Sequence, residues 1–299
     1  YILTIIDNNK IYLINNDYCI IEIKNLLFQG KVPDMTTEQY MNMIRNNPYV
    51  IGRIENPTEE MQLLAVQLNG QALQYITNPS PAVQEAAIAN TARAIQFIDN
   101  PSEAIKLQAV RAGWNNLSYL ENPSQELIDA ALDQSGWAIK YIKDAGHDLQ
   151  LRAVNKNYDA VKYIKDPAPD VQLAAVRGNY EALRYIENPT DEAKDLAIVE
   201  DAQALRLIRG LEKEGFLHYL GLNVLVSKYR PADINLTPDD WRDTLKAILA
   251  QEDVSEEYVR NFITCSAVDL SPVDKILLVD DYGSQKARRI AVDEKLTLK

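Results

Sequence analysis

Apolar and polar positions recur every 22 residues through the middle of this chain. Ala65, Ala87, Ala109, Ala131, Ala153, Ala175 and Ala197 form one small apolar column. A second column is aromatic: Tyr75, Phe97, Tyr119, Tyr141, Tyr163 and Tyr185, ending in Leu207. Each member is followed by an aliphatic residue: Ile76, Ile98, Leu120, Ile142, Ile164, Ile186 and Ile208. Pro57, Pro79, Pro101, Pro123, Pro167 and Pro189 keep the same step, with Ala145 in the one gap. Three columns in phase define a repeat. Val83, Ala86 and Ala87 sit at i, i+3, i+4, which predicts a first helix in each unit; Ala160, Val161 and Ile164 predict a second. A unit of two short helices cannot hide its apolar face alone, so the units must stack. Counted back to a degenerate unit at Met35, eight of them fill residues 35–210.

Polar residues punctuate the units. Asn56, Asn78, Asn100, Asn122, Asp144, Asp166 and Asn188 precede the proline column and read as N-caps, with proline at the first helical position. Asn47, Asn69, Thr91, Gly113, Ser135, Asn157, Asn179 and Asp201 form a second cap column. The ends differ from the middle. Residues 1–34 alternate β-branched runs with Asn8-Asn9 and Asn16-Asp17 pairs, the pattern of a three-stranded meander, and serve as an N-terminal cap. Residues 211–299 read as a helical C-terminal module, with starts at Thr237-Pro238, Ser255 and Ser271-Pro272. The expected fold class is therefore mainly α: an α-solenoid of two-helix repeats between these two ends.

The segments ENPTEEMQLLAVQLNGQALQYITNPS and KDPAPDVQLAAVRGNYEALRYIENPT resemble a family of short α-helical repeats found in bacterial, bacteriophage and giant-virus proteins. The resemblance implies a stacked-helix fold and an interaction scaffold, and carries no catalytic residues with it. Ala145 and Gly146-His147 depart from the Pro-Ser/Thr pattern and are expected to bend the stack locally.

Composition narrows the chemistry. The two Cys and two His are scattered at 19, 147, 218 and 265 with no zinc-ligand spacing, which nearly excludes a structural zinc site, and Cys19 and Cys265 suggest no disulfide framework, which favours a reducing, cytoplasmic setting. The N-terminal apolar stretch is broken by Asp7, Lys10 and Asp17, so neither a secretory signal nor a membrane span is expected. His147 and His218 have no second ligand nearby in sequence. Asp239-Asp240 and Asp280-Asp281 pair carboxylates, but the first pair sits at a helix start, where the dipole alone favours acids. No phosphate loop, nucleophile elbow or His-Glu-x-x-His is present. No cofactor and no catalysis are implied; an enzyme would have to use an unrecognised site in 211–299.

Charge bears on partners. Net charge is −12, which disfavours a bulk phosphate-backbone binder and suits a protein partner. Yet the position before the aromatic turns basic halfway along: Gln74, Gln96, Ser118, Lys140, Lys162, Arg184, Arg206. With Tyr141, Tyr163 and Tyr185 adjacent, this is a candidate ladder for an acidic partner or for nucleic acid. The plainer expectation buries each aromatic between layers and leaves the basic column solvated. Trp114 and Trp137 break their columns, either as exposed interface anchors or as core. The reading that joins these points is a non-catalytic protein-binding scaffold. Its pointed version is a phage counter-defence factor that blocks a nucleic-acid-handling enzyme in the host cytoplasm.

Overall fold

The computed structural model describes residues 35–297, with side chains to residue 294, and the backbone of three short strands before them. Of the meander expected over 1–34, the structure gives only antiparallel backbone pairing of Leu3–Asp7 with Lys10–Asn15 and of Lys10–Asn15 with Tyr18–Ile20. The cap it was expected to form, and the Cys19 side chain, lie outside the described residues. The rest of the described structure is mainly helical. The chain divides into two compact units, Tyr1–Gln134 and Ser135–Lys299.

Among the described residues, ten-residue α-helices start at Thr37, Glu59, Pro81, Glu103, Gln125, His147, Pro169, Asp191 and Lys213, a strict 22-residue step. Each is followed by a six-residue 3-10 helix, as Glu59–Leu68 is by Gly70–Tyr75. The repeat therefore runs one unit beyond residue 210, through Lys213–Leu222 and Val224–Tyr229. Leu211 replaces the proline of that unit and Tyr219 its alanine, which hid it from the column pattern; Asn223 and Tyr229 stayed in phase. The departure at residues 145–147 does not shift the period either. His147–Lys156 begins in register, with Gly146 as its cap residue and no side-chain cap bond.

The capping assignment needs correction. The first-helix caps are the residues after the proline, not before it: the hydroxyls of Thr58, Ser80, Ser102 and Thr190 accept from the backbone N–H three residues on. The polar residue before the proline instead turns the chain. Asn78, Asn100, Asn122, Asp144 and Asp166 all adopt positive φ, between 47° and 54°. Proline disfavours the right-handed helical conformation at the preceding residue, and Asn and Asp tolerate the left-handed one best after glycine. Gly210 holds the equivalent place in the ninth unit, at φ 62°. Asn122→Ala is accordingly expected to lower stability by about 1 kcal/mol, while Asn122→Gly stays close to wild type. Denaturant unfolding of the two variants checks this; equal damage by both would assign the effect to the Asn side chain rather than to φ.

The second cap column behaves as expected at most positions. Asn69 Oδ1 accepts from Gln71 N at 3.0 Å, and Asn179 Oδ1 from Glu181 N at 2.8 Å. Side-chain amides also stitch one layer to the next. Asn90 Oδ1 accepts from Gly70 N at 2.8 Å while its Nδ2 donates to Gln67 O at 2.9 Å. Gln134, in the same column, does likewise toward Trp114 N and Val110 O. These bonds satisfy the orphan groups where one helix ends and the next begins.

The core is made of the alanine column and its aliphatic neighbours. Ala65, Ala87, Ala109 and Ala131 in the first unit, and Ala153, Ala175 and Ala197 in the second, have no exposed surface. Their size lets successive helices approach closely. In the second unit the ninth repeat is covered by Pro238–Leu249 and Glu256–Thr264, on which Pro272–Tyr282 and Gln285–Thr297 pack in turn. Phe216 packs edge-to-face on Trp241 at 6.2 Å, and Tyr258 Oη donates to Leu220 O at 2.8 Å. Lys213 meets Asp240 at 2.8 Å. That ammonium, with the Thr237 capping bonds, holds the Asp240 carboxyl down at about 2. No described helix is long and apolar enough to cross a membrane.

Candidate interaction surface

The 3-10 helices carry the aromatic and basic columns. In Tyr158–Tyr163, Ala160 and Val161 are buried while Lys162 and Tyr163 face outward; Tyr180–Tyr185 does the same with Ala182, Leu183, Arg184 and Tyr185. The aromatic column is therefore mixed, with Phe97 and Tyr119 partly buried against the core. Tyr75 is 49% exposed, Tyr163 and Tyr185 41% each, and Tyr119 and Tyr141 are half-buried. The aliphatic residue that follows does the packing: Ile76, Ile98 and Ile186 are buried, and Ile142 and Ile164 half-buried. Each of these 3-10 helices ends at the aromatic residue, and the aliphatic residue after it is an extended C-cap whose side chain turns to the opposite side. The expectation that each aromatic is buried between layers therefore holds only in part: Phe97, Tyr119 and Leu207 pack against the core, while Tyr75, Tyr163 and Tyr185 are exposed.

In the second unit the basic column and the rings interleave. Lys140 Nζ lies 4.6 Å from the Tyr141 ring centroid and 5.8 Å from that of Tyr163. Lys162 Nζ lies 5.1 Å from Tyr163 and 5.7 Å from Tyr185, and 5.3 Å from Trp137. Arg206 stands over Tyr229 at 4.7 Å. Consecutive tyrosines thus share one cation across a repeat boundary, in cation–π geometry. Arg184, exposed, instead meets Glu181 at 3.6 Å.

Trp137 anchors one end of this row. It is 37% exposed, and its Nε1–H donates to Asp159 Oδ1 at 2.7 Å. Lys162 Nζ donates to the other carboxylate oxygen at 2.8 Å. Burial raises the Asp159 pKa, but the bonds from Lys162 and Trp137 outweigh it and hold the carboxyl below its ordinary range. Lys162 is raised in turn, chiefly by its bond to Asp159. Both stay charged at neutral pH. Trp114, in the other compact unit, is half-buried and donates its backbone N–H to Gln134 at 3.1 Å. Of the residues singled out in the sequence, the structure gathers Trp137, Lys140 and Lys162 around shared rings and carries the row on through Arg184 and Arg206; Trp114 belongs to the other unit.

A groove opens beside Trp137. It encloses about 530 Å³ and is lined by Trp137, Tyr158, Asp159, Lys156, Arg177 and Gly178, among others. Sequence reasoning passed over Lys156 and Arg177, which close the helices His147–Lys156 and Pro169–Gly178. The signal was present: Lys156 falls in a column otherwise filled by Asn46, Leu68, Asn90, Ala112, Gln134, Gly178, Glu200 and Leu222.

The remaining candidates serve the fold. His147 Nε2 meets Asp170 at 2.8 Å and His218 Nε2 meets Asp195 at 2.7 Å, each tying one repeat to the next. No group of three or more His, Cys, Asp or Glu able to hold a metal ion occurs among the described residues. Asp240 is a capping residue. Cys265 is buried, 3.4 Å from the Ser227 hydroxyl. No family model, curated protein or solved structure matches the chain.

Proposed function

We propose that the chain is a non-catalytic scaffold that holds a protein partner on the aromatic and basic face of its second unit. The observation that carries this reading is the row of Tyr163 and Tyr185, 41% exposed, with Trp137 at 37%. Exposed aromatic side chains repeated at fixed spacing contribute little to the core, and Trp, Tyr and Arg are the residues that dominate protein–protein hot spots. Their cations fix ring orientation, which lowers the entropy lost on binding. Cytoplasmic function fits the buried thiol of Cys265. The counter-defence version, with a nucleic-acid-handling enzyme as partner, draws its support from the net charge of −12 and from the company kept by similar repeats.

Nucleic-acid binding is the second reading, favoured by the Tyr–Lys alternation itself. Against it, Lys162 and Arg184 are engaged by Asp159 and Glu181 on their own helices. The test is affinity capture from host lysate with wild type and with a Trp137→Ala, Tyr163→Ser, Tyr185→Ser variant, alongside oligo(dT) binding at about 50 mM salt. The scaffold reading expects a stoichiometric protein that the variant loses about tenfold or more, and no retention of oligo(dT). Equal capture by both proteins would overturn it.

A further inference from the structure

We infer that the groove beside Trp137 is a recognition site for an acidic segment of a protein partner, with Lys156 and Arg177 as its anion-binding pair. This rests on the scaffold reading and names the chemistry that one part of the face would take.

The repeat frame explains most residues of this region by packing or capping, and the exceptions gather at one place. The column of Trp137 is polar in the other inner repeats, at Gln71, Arg93, Asn115, Asp159, Glu181 and Gln203; its end members are Tyr49 and Leu225. In the column of Lys156, Asn90 and Gln134 have a structural role, since their side-chain oxygens accept the backbone N–H that opens the preceding 3-10 helix, at Gly70 and Trp114. At Gly136 that role passes to Asn157, whose Oδ1 accepts from Gly136 N at 2.8 Å. The shift by one residue releases position 156 from the stitch, and a lysine stands there. Arg177 is an exposed cation in the last turn of the next helix. Neither Lys156 nor Arg177 forms an ion pair among the described residues. A basic residue in the last helical turn is favoured by the dipole alone, which is the plain reading of each by itself. The dipole does not account for their meeting at the groove that also holds an exposed Trp.

Charge complementarity selects the occupant. Asp159, the one carboxylate on the groove wall among the described residues, is occupied by Trp137 Nε1 and Lys162 Nζ. The cations left over are Lys156 and Arg177. Two positive groups lining the same groove as Trp137 and Tyr158 fit a short stretch that pairs Asp or Glu with an aromatic or aliphatic side chain. A nucleic-acid strand needs cations along its whole track, and the neighbouring Lys162 and Arg184 are already paired. The groove volume, about 530 Å³, holds a few side chains rather than a domain surface.

The test uses the whole chain and a random twelve-residue peptide library as probe. Selection on wild type is expected to enrich peptides carrying two or more acidic residues next to an aromatic or aliphatic one. Those peptides should bind about tenfold more weakly to a Lys156→Gln, Arg177→Gln variant whose thermal unfolding is unchanged. They should also move the indole N–H resonance of Trp137. Enrichment of peptides without acidic excess, indifference to the double variant, displacement by oligo(dT), or no enrichment would each overturn the proposal. Lysate capture separates its failure from that of the scaffold reading. A partner kept by the double variant but lost by the Trp137, Tyr163, Tyr185 variant leaves the scaffold standing without this groove.

Discussion

Replacing Phe216 by Ala is expected to cost about 3–5 kcal/mol, the range for removing a fully buried aromatic ring. Phe216 has no exposed surface and meets Trp241 edge-to-face. It occupies the column where Gln150 and Gln172 donate back to Ala145 O and Pro167 O inside their own repeats. In the ninth repeat the neighbour is no longer another repeat but the helix Pro238–Leu249. Polar self-satisfaction gives way there to an aromatic contact. Tyr219 makes the same change in the alanine column; burial pushes its phenol up to about 12. Phe216→Ala should therefore loosen residues 213–264 first. Hydrogen exchange read by mass spectrometry locates the effect, and Phe216→Leu should recover most of the loss. A cost below about 1 kcal/mol would show that the terminal helices do not depend on this contact.

The second large effect is expected from Ala175→Leu. Ala175 has no exposed surface, and the helices before and after it carry Ala153 and Ala197 at the equivalent place, equally buried. Three added carbons have no room without moving a whole layer, so the cost is about 1–3 kcal/mol. Ala174→Leu, one residue away and half-buried, should cost less. Calorimetric unfolding of the two variants decides; equal costs would mean that close layer approach is not what the alanine column provides.

The sequence made the repeat legible because close packing imposes strict size limits at a few positions. Alanine is repeated where helices touch, and proline where the chain must turn. Those positions survive in unit after unit and can be read without coordinates. The turn chemistry was misread because Asn before Pro is equally consistent with a cap and with a left-handed residue; φ alone separates the two. The ninth repeat escaped notice because its neighbour changed, so Tyr219 and Leu211 no longer had to match their columns. The aromatic column was misplaced in part because the 22-residue period does not show where the second helix ends. Tyr163 is its last residue, and Ile164, the extended C-cap, takes the inward place instead. At the candidate surface the basic column and Trp137 were visible as departures from the repeat. Lys156 was not noticed, since its release depends on a hydrogen bond taken over by Asn157.

The proposed scaffold function requires that the partner touch the aromatic face of the second unit. Site-specific replacement of Tyr163 by p-benzoylphenylalanine, followed by irradiation in host lysate, tests this most directly. Val273, 66% exposed on the helix Pro272–Tyr282, is the control position. The scaffold reading predicts one discrete cross-linked protein from position 163 and none from position 273. Cross-linking from position 273 alone, or the same product from both, would contradict it.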